Sequence, residues 1–187
     1  ISAAYGVEQN TEQTLNKEET MDQLGFALDN APASRPEKQY AIPRYQVSLV
    51  RDGKVKTPIA QIRSSRDARE ILAAYLADVD REHFVVLLLD QKNRIIGIHT
   101  VSTGSLTASV VHPREVLKVA ILSNAAAIVA GHNHLSGDPQ PSQEDRLLTE
   151  RLRSACKIMG IELLDHVIVG DGMTAYYSFA DEGLLQP

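Results

Sequence analysis

Ala125-Ala126-Ala127-Ile128-Val129-Ala130-Gly131-His132-Asn133-His134 is the stretch on which the reading of this chain turns. Its apolar part is short and dense, as a buried strand requires. Side chains two apart on an extended backbone point the same way, so His132 and His134 leave the strand end on one side. Leu135 to Pro141 holds Gly137, Asp138, Pro139 and Pro141, which is loop chemistry. Ser142-Gln143-Glu144-Asp145 then has the form of a helix N-terminus, with Ser142 as N-cap and an acid at the third helical position. A tight loop can return Asp145 to the two imidazoles without disturbing that cap. Two imidazoles and a carboxylate are the ligand types of a zinc site with an open fourth position, one ion per chain. Chance pairing of histidines and a plain helix cap each explain part of this pattern. Neither covers all four residues together.

Working outward, the neighbouring segments predict alternating strands and helices. Phe84 to Leu89 is an unbroken apolar run, as in a strand covered on both faces. Asp90-Gln91-Lys92-Asn93 turns it into a second strand over 94–101. Ser64-Ser65-Arg66-Asp67 opens a helix whose apolar face is Ile71, Leu72, Tyr75, Leu76 and Val79. His112-Pro113 starts another, with Pro113 at its first position, running to about Asn124. The helix from Ser142 reaches Met159 and stops at Gly160. Glu162 to Val169, the Asp171-Gly172 turn and Met173 to Phe179 read as a final hairpin. The body is therefore α/β, with a mixed sheet covered on both sides. Tyr45, Val47 and Leu49 alternate with polar residues up to Asp52-Gly53, which predicts a β-hairpin addition over 44–64.

At 187 residues, 43% hydrophobic and 23% charged, the chain suits one sizeable soluble core. Residues 1–43 stand apart as an acidic, flexible extension. The first forty hold three Lys+Arg against seven Asp+Glu, and a short helix is expected around Glu18 to Leu28. A single cysteine, Cys156, excludes a disulfide framework and a thiolate-rich zinc site, and points to a reducing, cytoplasmic setting. No apolar run has membrane-spanning length and no signal pattern opens the sequence. The net charge of −5 gives no footprint for tight nucleic-acid binding.

A hydrolase of this kind needs a general base beside the metal. Glu82, at the mouth of the Phe84–Leu89 strand, is the strongest candidate, although strand-end acids are often merely solvated. Glu115 competes, but its place in a first helical turn equally suits the helix dipole. Ser142 offers a hydroxyl to a developing oxyanion, or serves only as a cap. His166 reads as a buried polar residue or as a group behind a ligand, and Cys156 as packing. The chain has no His-Glu-x-x-His, and one cysteine cannot supply the Pro-Cys-x-x-Cys of a nucleobase deaminase.

His132-x-His134-x7-Ser142-x2-Asp145 resembles the JAMM signature of JAB/MPN-domain metalloproteases. Arg81-Glu82-His83-Phe84, Val111 to Glu115, Asn124-Ala125-Ala126, His132 to Asp138 and Asp165-His166 resemble its RadC branch. The resemblance covers about residues 65–180. It implies a JAB/MPN domain over 65–187, an α/β/α layering like that of cytidine deaminases, with an N-terminal extension. It also implies His132, His134 and Asp145 as zinc ligands, Ser142 as oxyanion support and Glu82 as catalytic glutamate. The activity so implied is zinc-dependent hydrolysis of a peptide or isopeptide bond in a peptide or protein substrate. Two positions depart from the pattern. Leu135 replaces a common proline, and the strand near Thr100 lacks a glutamate that many RadC-like chains carry. The rival reading is a DNA-repair or mobile-element protein, a metal-dependent nuclease or a factor with weak or indirect DNA association.

Overall fold

The computed structural model describes residues 41–104, 111–170 and 174–185. The expected helix around Glu18 to Leu28 and the Asp171-Gly172 turn lie outside them. In chain order the elements are α1 (Ser65–Tyr75), β1 (His83–Leu89), β2 (Ile95–Thr103) and α2 (Pro113–Leu122). They continue as β3 (Ala127–Asn133), α3 (Gln143–Met159), β4 (Glu162–Val169) and β5 (Tyr176–Ser178). The sheet order is β2-β1-β3-β4-β5. Only β3 and β4 run parallel; the other neighbours are antiparallel. This is the mixed α/β architecture expected of a JAB-type domain.

Local chemistry accounts for the elements. Ser64 caps α1 in a reciprocal box with Asp67, and Pro113 starts α2 behind the His112 cap. The Asp90 carboxylate accepts from the amides of Lys92 and Arg94, closing the turn between β1 and β2. The unbroken apolar run of β1 reflects two cores, because alternate residues face opposite layers. Val85, Leu87 and Leu89 pack with Val129 against Ala68, Ile71 and Leu72 of α1. Phe84, Val86 and Leu88 pack with Ile128 and Ala130 against Val116 and Leu117 of α2 and Leu152 and Cys156 of α3. Gly131 lets α1 lie close, since a Cβ there would stand 2.5 Å from Leu72 Cδ1. Cys156 is the packing residue expected; burial pushes its thiol up to about 11.

The hairpin expected over 44–64 is not formed. The segment holds no strand, only the isolated bridge between Gln61 and Arg94. Tyr45, Val47 and Leu49 are 83%, 70% and 49% exposed, so their alternation faces no core. Alternation specifies a strand only where one face is buried, and an isolated two-stranded hairpin is marginal in water. Among the described residues no helix is long and apolar enough to cross a membrane.

Candidate metal centre

Three elements converge at the end of β3. His132 lies in that strand's last turn of pairing, fully buried, opposite Phe84 of β1. His134 follows just beyond the strand, its amide held by the Val169 carbonyl at the end of β4. Asp145 arrives on the first turn of α3, which Ser142 caps in a reciprocal box. Asp145 Oδ2 accepts from both the amide and the hydroxyl of Ser142, at 2.8 and 2.6 Å. The loop between is braced by Gly170, which passes beneath it. A Cβ on Gly170 would stand 2.4 Å from the Gly137 carbonyl oxygen and 2.9 Å from Pro139 Cδ.

One ligand atom each from His132, His134 and Asp145 lie within 4.8 Å of one another. The two Nε2 atoms are 3.0 Å apart, and they stand 3.2 and 3.4 Å from the Asp145 carboxylate oxygens. Ligand atoms about 2.0–2.1 Å from a tetrahedral zinc ion are separated by roughly 3.3 Å, so the spacing fits such an ion. The proton positions fit as well. His134 Nδ1 lies 2.8 Å from the Asp138 carbonyl, which can only accept, so Nδ1 carries the hydrogen and neutral His134 presents a lone pair at Nε2. An outer hydrogen bond of this kind is the usual means of orienting a ligating imidazole.

The electrostatics suit a cation. Burial pushes the Asp145 carboxyl up, but the His132 and His134 imidazoles beside it and the Ser142 hydroxyl outweigh it and hold the group far below the usual carboxylate range. The same Asp145 contact raises His134 against the opposing effect of its partial burial. Burial lowers His132, with Asp145 acting in the opposite direction. The metal-free cluster therefore keeps an ionised carboxylate beside a readily protonated His134, and a divalent ion would displace that proton. Because His134 is raised, its proton competes with metal from a pH above that of an ordinary histidine. Zinc affinity measured by chelator competition between pH 8 and pH 5 is expected to fall steadily toward the acid end. A flat profile would mean that His134 is not a ligand.

Glu82 is half-buried and directly precedes β1, and its charge favours the protonated forms of both His132 and His134. Its place is fixed by Asn133, the residue between the two histidines. The Asn133 side chain accepts from the His83 amide at 2.8 Å and donates to the Arg81 carbonyl at 3.1 Å, clamping both sides of Glu82. Glu115 sits on α2 with its carboxylate paired with Lys118 and Arg114, which lower it. Thr100, where the missing glutamate was noted, bonds Tyr75 of α1 at 3.0 Å and so faces the opposite layer from His132. Leu135 is 60% exposed and holds no ligand in place. The Ser142 hydroxyl gives its only proton to Asp145, so support of an oxyanion would require that bond to be exchanged.

Sequence reasoning passed over Asn133 and Thr149 and favoured a merely structural, buried polar role for His166. Thr149 carried one readable signal: beside Asp145 it is the second polar member of the buried stripe Asp145, Thr149, Leu152 and Cys156 on α3.

The fold and the cluster together define a JAB-type α/β domain with a potential metal site. Residues 62–184 match the model of the RadC-like JAB domain, and the chain belongs to that family. It is similar to a UPF0758 protein of Rubrobacter xylanophilus, 51% identical over 124 residues, which are 66% of this chain and 53% of that protein. A UPF0758 protein of Methanosarcina mazei is 44% identical over 132 residues, 71% of this chain and 57% of its own length. One of Pelobacter propionicus is 56% identical over 110 residues, 59% and 47% of the two chains. The chain thus spans about half the length of the curated relatives it matches.

Gly170 offers a test of how far the loop supports the cluster. In Gly170→Ala the new methyl meets backbone, which cannot rotate away. A loss of about 1–3 kcal/mol in stability is expected from overpacking, together with weaker zinc binding as Asp138 leaves His134. Urea denaturation and zinc titration check this; wild-type values for both would show that the loop yields freely.

Proposed function

We propose that this domain is a zinc-dependent hydrolase of a peptide or isopeptide bond, acting on a peptide or protein substrate in the cytoplasm. One observation supports it above the rest: one potential ligand atom each from His132, His134 and Asp145 converge within 4.8 Å, and Glu82, whose charge acts on both imidazoles, stands outside that set. His132, His134 and Asp145 would hold the ion. Bound zinc supplies Lewis acidity, polarising a carbonyl and bringing the ionisation of a water toward neutral pH.

The protein's own groups do the rest. Glu82, held by Asn133, takes the proton of the attacking water and passes it to the departing nitrogen. Ser142 orients Asp145 and caps α3, and its hydroxyl, once released from Asp145, is a donor for an oxyanion. The test is metal content by elemental analysis, followed by assay of a panel of peptides and isopeptide-linked conjugates. Stoichiometric zinc with cleavage in one class is expected. A zinc-loaded protein inert across the panel, yet retaining duplex DNA in a salt-sensitive way, would shift the reading to a DNA-associated role.

A further inference from the structure

Behind His132 runs a buried chain of hydrogen bonds that ligand geometry alone does not require. His132 Nδ1 stands 2.9 Å from His166 Nε2, and His166 Nδ1 stands 2.6 Å from Thr149 Oγ1. Thr149 Oγ1 in turn stands 2.6 Å from the Asp145 backbone carbonyl oxygen. His132 and His166 are both fully buried, and Thr149 is 3% exposed. The His166 ring is fixed by stacking on Phe179 at 5.1 Å and by Phe84 at 5.4 Å on another side. Its backbone amide is held by the Asp165 carboxylate, which also accepts from Ser178 and Ala180.

Counting protons from the closed end fixes the direction of the whole chain. A carbonyl oxygen only accepts, so the single Thr149 hydrogen points at Asp145. Thr149 Oγ1 is then an acceptor for His166, and Nδ1 of His166 must carry its proton. Neutral His166 is left with a lone pair at Nε2, which accepts from Nδ1–H of His132. His132 consequently has its lone pair at Nε2, the atom facing His134 and Asp145.

We infer that Thr149, acting through His166, sets the tautomer of His132 and so keeps its Nε2 open to a metal ion. Thr149 and His166 are positioning residues. The inference rests on reading the cluster as a metal centre, and it concerns a residue two hydrogen bonds removed from any ligand atom. Without the Thr149 oxygen, His166 has no acceptor for Nδ1–H. The ring can then turn its proton to the other nitrogen and donate toward His132, which must move its own proton to Nε2. That arrangement leaves no buried N–H unpaired and blocks the site.

The experiment has two arms. In metal-free wild-type protein, nitrogen–proton correlation NMR is expected to show His132 and His166 both protonated at Nδ1. In Thr149→Val the His132 proton is expected at Nε2, and zinc affinity by chelator competition is expected to fall about 10- to 100-fold, the usual scale for an outer-shell partner. Thr149→Ser, which keeps the hydroxyl, should restore both readouts to within about threefold of wild type on that scale. Wild-type His132 protonated at Nε2 would overturn the inference, as would Thr149→Val binding zinc as tightly as wild type. If Thr149→Val does not fold, the wild-type spectrum still decides. Wild-type protein that takes up no zinc while showing the expected tautomers would sink the metalloenzyme reading and leave the hydrogen-bond assignment standing.

Discussion

Glu82→Gln is expected to keep its zinc and lose hydrolysis by about two to four orders of magnitude, the range in which a positioned general base contributes. The amide has the shape of the carboxylate but cannot take a proton from water. Asn133 clamps the flanking Arg81 and His83 backbone rather than the Glu82 side chain, so the substitution leaves the strand entry in place. None of the three ligand atoms belongs to residue 82. Losing its negative charge removes a long-range attraction, so zinc affinity should weaken by no more than about tenfold, of the order of a surface-range charge pair. The measurement is zinc content and steady-state hydrolysis on one preparation. A variant that is zinc-loaded and fully active would remove Glu82 from the reaction; one that has lost zinc would make it part of the binding site instead.

What could be read from the sequence was what neighbouring residues decide among themselves. Ser64 with Asp67, Ser142 with Asp145 and Pro113 after His112 announce their helices within four residues. The apolar runs of β1 and β3 announce strands because burial on both faces leaves no polar alternation to mislead. The cluster of His132, His134 and Asp145 was legible for the same reason, since a strand end, a short loop and a capped helix place its members within fourteen residues of chain. The hairpin before α1 failed because alternation states only that a segment suits a half-buried surface. Whether such a surface exists depends on the rest of the fold.

The roles of Asn133, Thr149 and His166 were hidden for a related reason. Asn133 reaches His83 fifty positions away, and His166 reaches His132 across the parallel β3–β4 pairing, thirty-four positions away. That pairing includes a register shift between Ile128 and Val129. A slip of one residue would put His166 on the other face of the sheet. No local pattern encodes that choice, so only the folded sheet could show that His166 stands behind His132.

Asp145→Asn is expected to separate metal binding from folding. Asp145 does two jobs: Oδ2 completes the cap of α3, while Oδ1 faces His132 Nε2. An asparagine can place its carbonyl oxygen where Oδ2 accepts from Ser142 and its amide nitrogen toward the imidazoles. It then donates to the lone pair that the outer hydrogen bonds leave at Nε2 of the histidines. The buried negative charge is gone, and the cap survives. With the cap retained, the metal-free variant should fold, melting below the metal-free wild type by the pairing of the ionised carboxylate with the imidazoles that an amide cannot reproduce. Its zinc affinity should nevertheless fall by about 10²- to 10³-fold, the share of one ligand when a four-ligand zinc site is worth roughly 10–16 kcal/mol. The rise in melting temperature that zinc gives the wild type should vanish, because a ligand stabilises only in proportion to its binding of the folded state. Asp145→Ala should lose zinc to the same extent and also lose the cap, melting lower than Asp145→Asn by the equivalent of about 1 kcal/mol. Thermal scans of both variants with and without zinc read all four quantities together. Zinc-dependent stabilisation persisting in Asp145→Asn would exclude this carboxylate from the metal centre, and equal melting of the two metal-free variants would deny it the cap.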